Sequence, residues 1–354
     1  LFAVLFCALF SLSGCTTALY HQLLITGFGV DRTEEGYEVI VRAASLSKEG
    51  EEEQYIVKGE TVYEALNALS LTAGKKPLYA NAGYLIFGQE IAQEGLDKIL
   101  DFFMRYFKSR PTINLYMAEN TAKEILETKK DDRFISSEVI RAYTENERNR
   151  GKTTSATAMS LISDVKMGGG DTVIPVIRKK GEELDCVVSA AFRGYRFNTL
   201  LNEEETRGFL AAKGILHGES FVLKGREGEK ITTEIMKTRT NLTHKMENGQ
   251  PRFTLAIHVD AVLVSAALSS DPAGYREIEA LLSEKIQNCA RESLEKSLQN
   301  KSDVLRFGRH LYLHEADFWR QSQKNWADQL PEIAAEISVT TTLTRIGEED
   351  KPPY

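Results

Sequence analysis

Residues 231–246 read ITTEIMKTRTNLTHKM and residues 253–268 read FTLAIHVDAVLVSAAL, with Asn248-Gly249 between them. In the second run Phe253, Leu255, Ile257, Val259, Ala261 and Leu263 fall on one face by strict alternation. A period of two marks a strand with one side on a core and the other in solvent. Asn-Gly between two such runs is the strongest short hairpin signal, because a tight turn there needs positive φ at both central residues. Two long strands therefore pair antiparallel, and the elements around them complete an antiparallel sheet on which a long helix packs. Downstream, residues 272–300 form one long helix, with Tyr275, Ile278, Leu281, Leu282, Ile286 and Cys289 on its apolar face. At 1.5 Å per residue it runs about 40 Å. Residues 318–330 follow as a short helix bearing Trp319 and Trp326, and residues 333–346 alternate again. Upstream, residues 221–224 add a short strand.

The first half has a different rhythm. Residues 23–30 read as a buried strand closing in Asp31, with residues 36–46 as its hairpin partner. Residues 48–54, KEGEEEQ, form an acidic solvated loop. Residues 61–72 take a helical spacing, 84–88 a short strand, and 91–107 a single amphipathic helix. Residues 113–118 are a strand and 121–128 a helix with Asn120 as N-cap. Residues 129–152 are heavily charged, with a helix at 135–143, and are expected to carry exposed connections and binding loops. A helix over 156–167 stops at Gly168-Gly169-Gly170. Strands at 172–178, 184–192 and 195–200 precede Asn202, which caps a helix over 203–213 whose first turn is Glu203, Glu204 and Glu205. Strands alternating with helices point to an α/β (α+β) fold in several domains, with mixed and antiparallel sheets packed with helices. The expected layout is residues 23–200, with a further division near 130–150, then 201–347 and a loose tail over 348–354.

The chain opens LFAVLFCALFSLSGC, apolar through Phe10 and then small and polar. Leu12-Ser13-Gly14-Cys15 is a bacterial lipobox pattern: an aliphatic residue, two small residues and a cysteine whose sulfur takes the lipid. The reading is a signal peptide over 1–14, short of its first residues because neither Met nor a basic stretch precedes the apolar run, and a tether over 15–22. Cys15 is the lipid-attachment residue, and two or three acyl chains suffice for stable anchoring on the outer face of the membrane. No later run approaches the roughly 18 apolar residues of a spanning helix. Of 354 residues, 42% are hydrophobic and 27% charged, an ordinary globular balance. A net charge of −7 argues against nucleic acid as a partner and against a broad polybasic membrane surface. Of the four cysteines, Cys7 leaves with the signal and Cys15 carries lipid. Cys186 and Cys289 remain, both on apolar patterns, where a buried thiol or one disulfide is open.

The residues that could carry chemistry fall short of any known catalytic arrangement. His310 and His314 share a helix face, but Glu315 follows them, unlike H-E-x-x-H, and no third ligand declares itself in the sequence. Gly168–Gly170 lacks the Lys-Ser/Thr of a phosphate loop, and Gly27-Phe28-Gly29 lacks the third glycine of a dinucleotide site. No G-x-S-x-G elbow is present, and Asp101, Asp131 and Asp132 form no recognisable pair. Trp319 and Trp326, seven apart, serve either a core or a partner-binding stripe, the core being favoured. No catalytic, metal or cofactor residues are assigned.

The order of segments resembles the Ger(x)C family, the C-subunit lipoproteins of spore germination receptors. The likeness runs through Gly27-Phe28-Gly29-Val30-Asp31 after the lipobox, the block from Tyr84 to Gly95 (YLIFGQEIAQEG) continued by Leu100–Arg105, and the strand Ile113–Ala118. It continues through Phe221–Gly225, Asn248-Gly249, the segment DVLRFGR at 303–309, and Trp319 and Trp326. Thr16-Thr17 stand where members often carry Trp-Asp. The resemblance implies a multi-domain α/β scaffold without catalysis, anchored through Cys15 in the inner spore membrane. It also implies two partners, an A-type membrane subunit and a B-type, transporter-like subunit of a nutrient receptor. A solute-binding lipoprotein that hands a small ligand to a transporter stands as the alternative, and would need a deep cleft with convergent polar groups. An anchored cell-wall hydrolase is a third reading, and would need a carboxylate pair or a metal.

Overall fold

The computed structural model describes residues 21–45, 51–105, 111–131, 133–146, 151–225, 228–265 and 272–344. Fifteen strands appear among them. In chain order these are β1 (Gln22–Thr33), β2 (Gly36–Ala44), β3 (Glu52–Gly59), β4 (Lys76–Leu78), β5 (Tyr84–Phe87), β6 (Asn114–Ala118), β7 (Lys129–Lys130) and β8 (Arg133–Phe134). There follow β9 (Thr172–Lys180), β10 (Glu183–Arg193), β11 (Arg196–Leu201), β12 (Ser220–Lys224), β13 (Lys230–Glu247), β14 (Gln250–Ser265) and β15 (Ala334–Thr344). A nine-stranded sheet has the order β11-β10-β9-β6-β5-β1-β2-β3, with β4 beside β1. Its centre, β9-β6-β5-β1, is parallel, and antiparallel hairpins extend it at both ends.

Both faces of that sheet are covered, which explains why its central strands read as unbroken apolar runs. Along β5 the side chains alternate: Leu85 and Phe87 enter one core, Tyr84 and Ile86 the other, and all are fully buried. The first core is closed by the helices Val62–Ala73, Asp97–Arg105 and Ala158–Met167, the second by Ala122–Leu126 and Ser137–Glu145. Helix ends follow from local chemistry. Thr61 accepts the Glu64 N–H at 3.1 Å, and Gly74 ends that helix in the left-handed region at φ 63°.

After β11 the helix Glu203–Ala212, with Asn202 and Glu205 in a reciprocal capping box, leads to the second sheet, β12-β13-β14-β15. The Asn248-Gly249 turn joins β13 and β14 as expected, with φ of 52° and 77°. Phe253, Leu255, Ile257, Val259 and Ala261 form the buried face, under Ile278, Leu282 and Ile286 of the helix Pro272–Gln299. That helix crosses Glu203–Ala212 at Gly208, where a Cβ would run into the Cys289 carbonyl. Only glycine permits so close an approach. Val173, Ala191 and Leu201 of the first sheet enter the same core, so the two sheets share packing.

Several expectations need correction. Glu52–Gln54 open β3 rather than ending a loop, because Glu52 is held by the Thr26 hydroxyl and the Ser137 N–H, each at 2.9 Å. The expected single helix over 91–107 is two, Gln89–Glu94 and Asp97–Arg105. Gly95 breaks it at φ 121°, and the Leu96 N–H turns to the Tyr195 carbonyl at 2.9 Å. Thr121, not Asn120, caps the next helix, and Asn120 bonds Glu124 instead. The sheet of the second half is mixed, since β15 joins β14 in parallel. The run over 318–330 divides into Ala316–Ser322 and Trp326–Gln329 about a 3₁₀ turn.

Candidate functional site

Cys15, the expected lipid-attachment residue, lies outside the described residues, as do the signal segment and the tail over 348–354. No described helix is long and apolar enough to cross a membrane. The blocks singled out in the sequence prove to be built around buried carboxylates. Asp31 caps the helix Ala122–Leu126, Oδ1 accepting the Ala122 N–H at 2.7 Å and Oδ2 the Lys123 N–H at 2.8 Å. The glycines beside it make room. A Cβ on Gly27 would strike the Tyr84 ring, one on Gly29 would sit 2.6 Å from Leu126, and one on Gly88 would strike Asp31 itself.

The second block centres on Asp303, at 3% exposure. It accepts the Phe307 N–H at 2.8 Å, the Gly308 N–H at 2.7 Å and the Trp326 Nε1–H at 2.8 Å. Burial nevertheless pushes its carboxyl up to about 6, the three donors opposing. Asp171 lies beside it and accepts the Asp303 N–H at 2.8 Å, and burial raises its carboxyl as well. Trp319 and Trp326, 6% and 5% exposed, meet edge to face with centroids 5.5 Å apart over Gly308. The tryptophans are thus core. Gly169 and Gly170 pack against this segment, the Gly169 carbonyl accepting the Arg309 N–H at 2.6 Å, and Arg306 reaches Asp164 at 2.8 Å. The glycine run is a joint between the halves of the chain.

Other expected residues separate. Asp101 pairs with Arg105 on an exposed helix face at 2.7 Å, Asp131 is an exposed turn residue at φ 52°, and Asp132 lies outside the described residues. Cys186 and Cys289 are buried and unpaired with each other, and burial pushes both thiols up to about 12. The charged stretch contributes buried groups as well as exposed ones. Tyr84, Ser137, Thr26 and Glu52 form a hydrogen-bonded chain beside Arg42, which is 1% exposed and stacks on Phe134 at 4.2 Å. A cleft of about 630 Å³ opens between β1–β2 and the helices Val62–Ala73 and Asp97–Arg105, lined by Arg32, Tyr37, Tyr63, Lys98, Phe102 and Arg105. No sequence pattern marked it.

The structure also gives His310 a neighbour the sequence hides. His244, from β13, places Nδ1 3.0 Å from His310 Nε2, and its Nε2 lies 3.2 Å from Glu315. Burial, then the adjoining His314 and His244, hold the His310 imidazole below its usual value. Among the described residues no group of three or more His, Cys, Asp or Glu side chains is placed to hold a metal ion.

The family profile described as "Spore germination protein N-terminal domain" matches residues 18–179, and that described as "Spore germination B3/ GerAC like, C-terminal" matches residues 189–347. The chain belongs to the GerAC-like spore germination family. Spore germination protein B3 of Bacillus subtilis (strain 168) is 20% identical over 370 residues, covering 98% of this chain and 97% of that one. Spore germination protein GerQC of Bacillus cereus is 20% identical over 301 residues, covering 82% and 83%. The crystal structure of the GerBC protein superposes with a TM-score of 0.63 at 16% identity, covering 90% of this chain and 96% of that one. That likeness establishes the GerAC-like fold, mixed sheets packed with helices. Within the family's C-terminal region lies the Asp303 hub, and within its N-terminal region the Asp31 cap.

Proposed function

We propose that this chain is a non-catalytic lipoprotein subunit of a spore nutrient receptor, held by lipid at Cys15 to the outer face of the inner spore membrane. The reading rests chiefly on the two spore germination profiles, which match residues 18–179 and 189–347. The apolar run ending in Leu12-Ser13-Gly14-Cys15 supplies the anchor. Anchoring confines the folded region to two dimensions beside an A-type membrane subunit and a B-type, transporter-like subunit, which raises its effective concentration for assembly. The buried carboxylate hubs support a rigid scaffold, a part suited to assembly or to transmitting a signal. A division of the chain near residue 200, where the first sheet ends, and a further one near 130–150 belong to the same reading.

Labelled palmitate tests the anchor. Wild type takes up label and Cys15→Ala does not, and uptake by the variant overturns the lipobox. Dipicolinate release tests the receptor role. Spores lacking the gene lose response to one nutrient class while dodecylamine still germinates them; an unchanged response after the other receptor loci are also deleted overturns it.

A second reading is a solute-binding lipoprotein, favoured by the cleft of about 630 Å³, whose lining combines the cations Arg32, Lys98 and Arg105 and the acids Glu60 and Asp101 with the aromatic Tyr37 and Phe102. A thermal shift with one class of small solute, lost on Arg32→Ala, distinguishes it.

A further inference from the structure

We propose that His244, His310 and Glu315 form a proton-sensitive latch, which holds the end of β13 to the helix Phe307–His314 at neutral pH and opens in acid. His244 stands on the core side of β13 near its turn, and His310 on the helix above it. His244 Nδ1 and His310 Nε2 are 3.0 Å apart, and His244 Nε2 lies 3.2 Å from a Glu315 oxygen. The two rings meet edge to face at 84°, with centroids 5.0 Å apart. A hydrogen bond between two ring nitrogens holds one proton, because one nitrogen donates and the other must offer a lone pair. The contact is therefore made with both rings neutral or with one of them charged. It fails when both are charged, since each facing nitrogen then carries a hydrogen and two positive rings oppose each other. The latch accepts at most one charge on two imidazoles, each of which titrates near 6.5 in water.

The surroundings decide which proton is refused. Among the described residues Glu315 is the carboxylate bonded to the pair, and it faces His244, so the first charge settles there. A second charge on His310 would meet His244 on one side and His314, with its centroid 4.5 Å away, on the other. The remaining charges turn elsewhere. Arg309 reaches Met167 at 3.4 Å, Asp317 pairs with Arg320, and Lys245 with its cross-strand neighbour Arg252 falls on the opposite sheet face. The floor is apolar: Phe253 and Phe307 stack at 4.2 Å, and Phe253 lies 6.1 Å from both rings. Burial there opposes a charged imidazole, in the same direction as the neighbouring rings. An opened latch takes up the proton that the closed one refuses. Closure is thus complete above about 6.5 and is lost as pH falls below it. Asp303 keeps hold of the Phe307 and Gly308 N–H groups at the start of the helix, so opening is confined to its last turn, from His310 to Glu315.

A global unfolding midpoint would mix this effect with the opposite one of Asp303, so the test is local. Amide exchange of residues 310–315 is measured on the full chain in detergent from about pH 8 to about pH 5, each rate divided by that of the unfolded chain at the same pH. Protection in wild type is expected to be constant above about 6.5 and to fall by up to about tenfold per pH unit below it, while the helix Pro272–Gln299 keeps its protection. His244→Gln and His310→Gln keep a hydrogen-bonding amide but cannot titrate, and their profiles should be level. His258→Gln, beside Asp260 on the opposite sheet face, should follow wild type. Because a glutamine can disturb packing, the carbon-13 ring signals of the wild-type histidines are followed as well. While the segment stays protected, His244 and His310 together should take up one proton. Level protection in wild type, the same acid loss in both glutamine variants, or uptake of two protons by a segment that stays protected overturns the latch.

Discussion

Asp303 shows how much one side chain can organise. Its two oxygens collect two backbone N–H groups and an indole N–H, from three positions on two helices. Asparagine there would present an amide to donors that need an acceptor, leaving buried N–H groups unpaired at about 1–3 kcal/mol each. Asp303→Asn is expected to lower stability by about 3 kcal/mol, read from the urea midpoint at neutral pH. The carboxyl also carries a pH signature. Its folded value, about 6, exceeds the usual 3.8, so the folded state binds the extra proton. Stability from this group is therefore fully present below 3.8 and lost as pH rises through about 6, by roughly 3 kcal/mol on the conversion of 1.36 kcal/mol per pH unit. Urea midpoints of wild type relative to Asp303→Asn should narrow across that window, and a constant difference would contradict the raised value.

At the scale of elements, the crossing of Glu203–Ala212 and Pro272–Gln299 depends on Gly208. A methyl there has no space beside the Cys289 carbonyl, so the helices must part and the apolar faces beneath them lose contact. Gly208→Ala should cost about 1–3 kcal/mol, the usual scale of overpacking, despite alanine's better helix propensity. Thermal unfolding checks it, and a stabilised variant would mean that the crossing is looser than described. The elements themselves followed local rules where those rules were sufficient. The hairpin of β13 and β14 was legible because alternation and Asn-Gly both act over neighbouring residues. The helix over 91–107 was not, because its apolar spacing continues through Gly95 while the backbone there does not. The strand at Glu52 was missed because its acidic composition conceals the ladder with β2 and the buried partners of Glu52.

For the whole molecule, the question is how the two sheets stay together. Val173, Ala191 and Leu201 carry the first sheet into the second core, and Asp171 and Arg306 bond across the joint. This coupling predicts one cooperative unfolding transition for wild type. Asp171→Ala removes the acceptor of the Asp303 N–H and the Ser302 hydroxyl, and calorimetry should then show the transition broaden or split in two. A single sharp transition in the variant would place the coupling in the shared apolar core alone.

The sequence by itself determined the alternation of strands and helices, the hairpin turn, the cap at Asn202, and the blocks by which the family is recognised. Each is set by residues a few positions apart, where backbone preference and amphipathic period decide. Only the tertiary structure decided what those blocks are for. Asp171 meets Asp303 across 132 residues, and His244 meets His310 across 66. The order of strands in a sheet, and the side chains it brings face to face, depend on how the chain folds back on itself, which local pattern does not record.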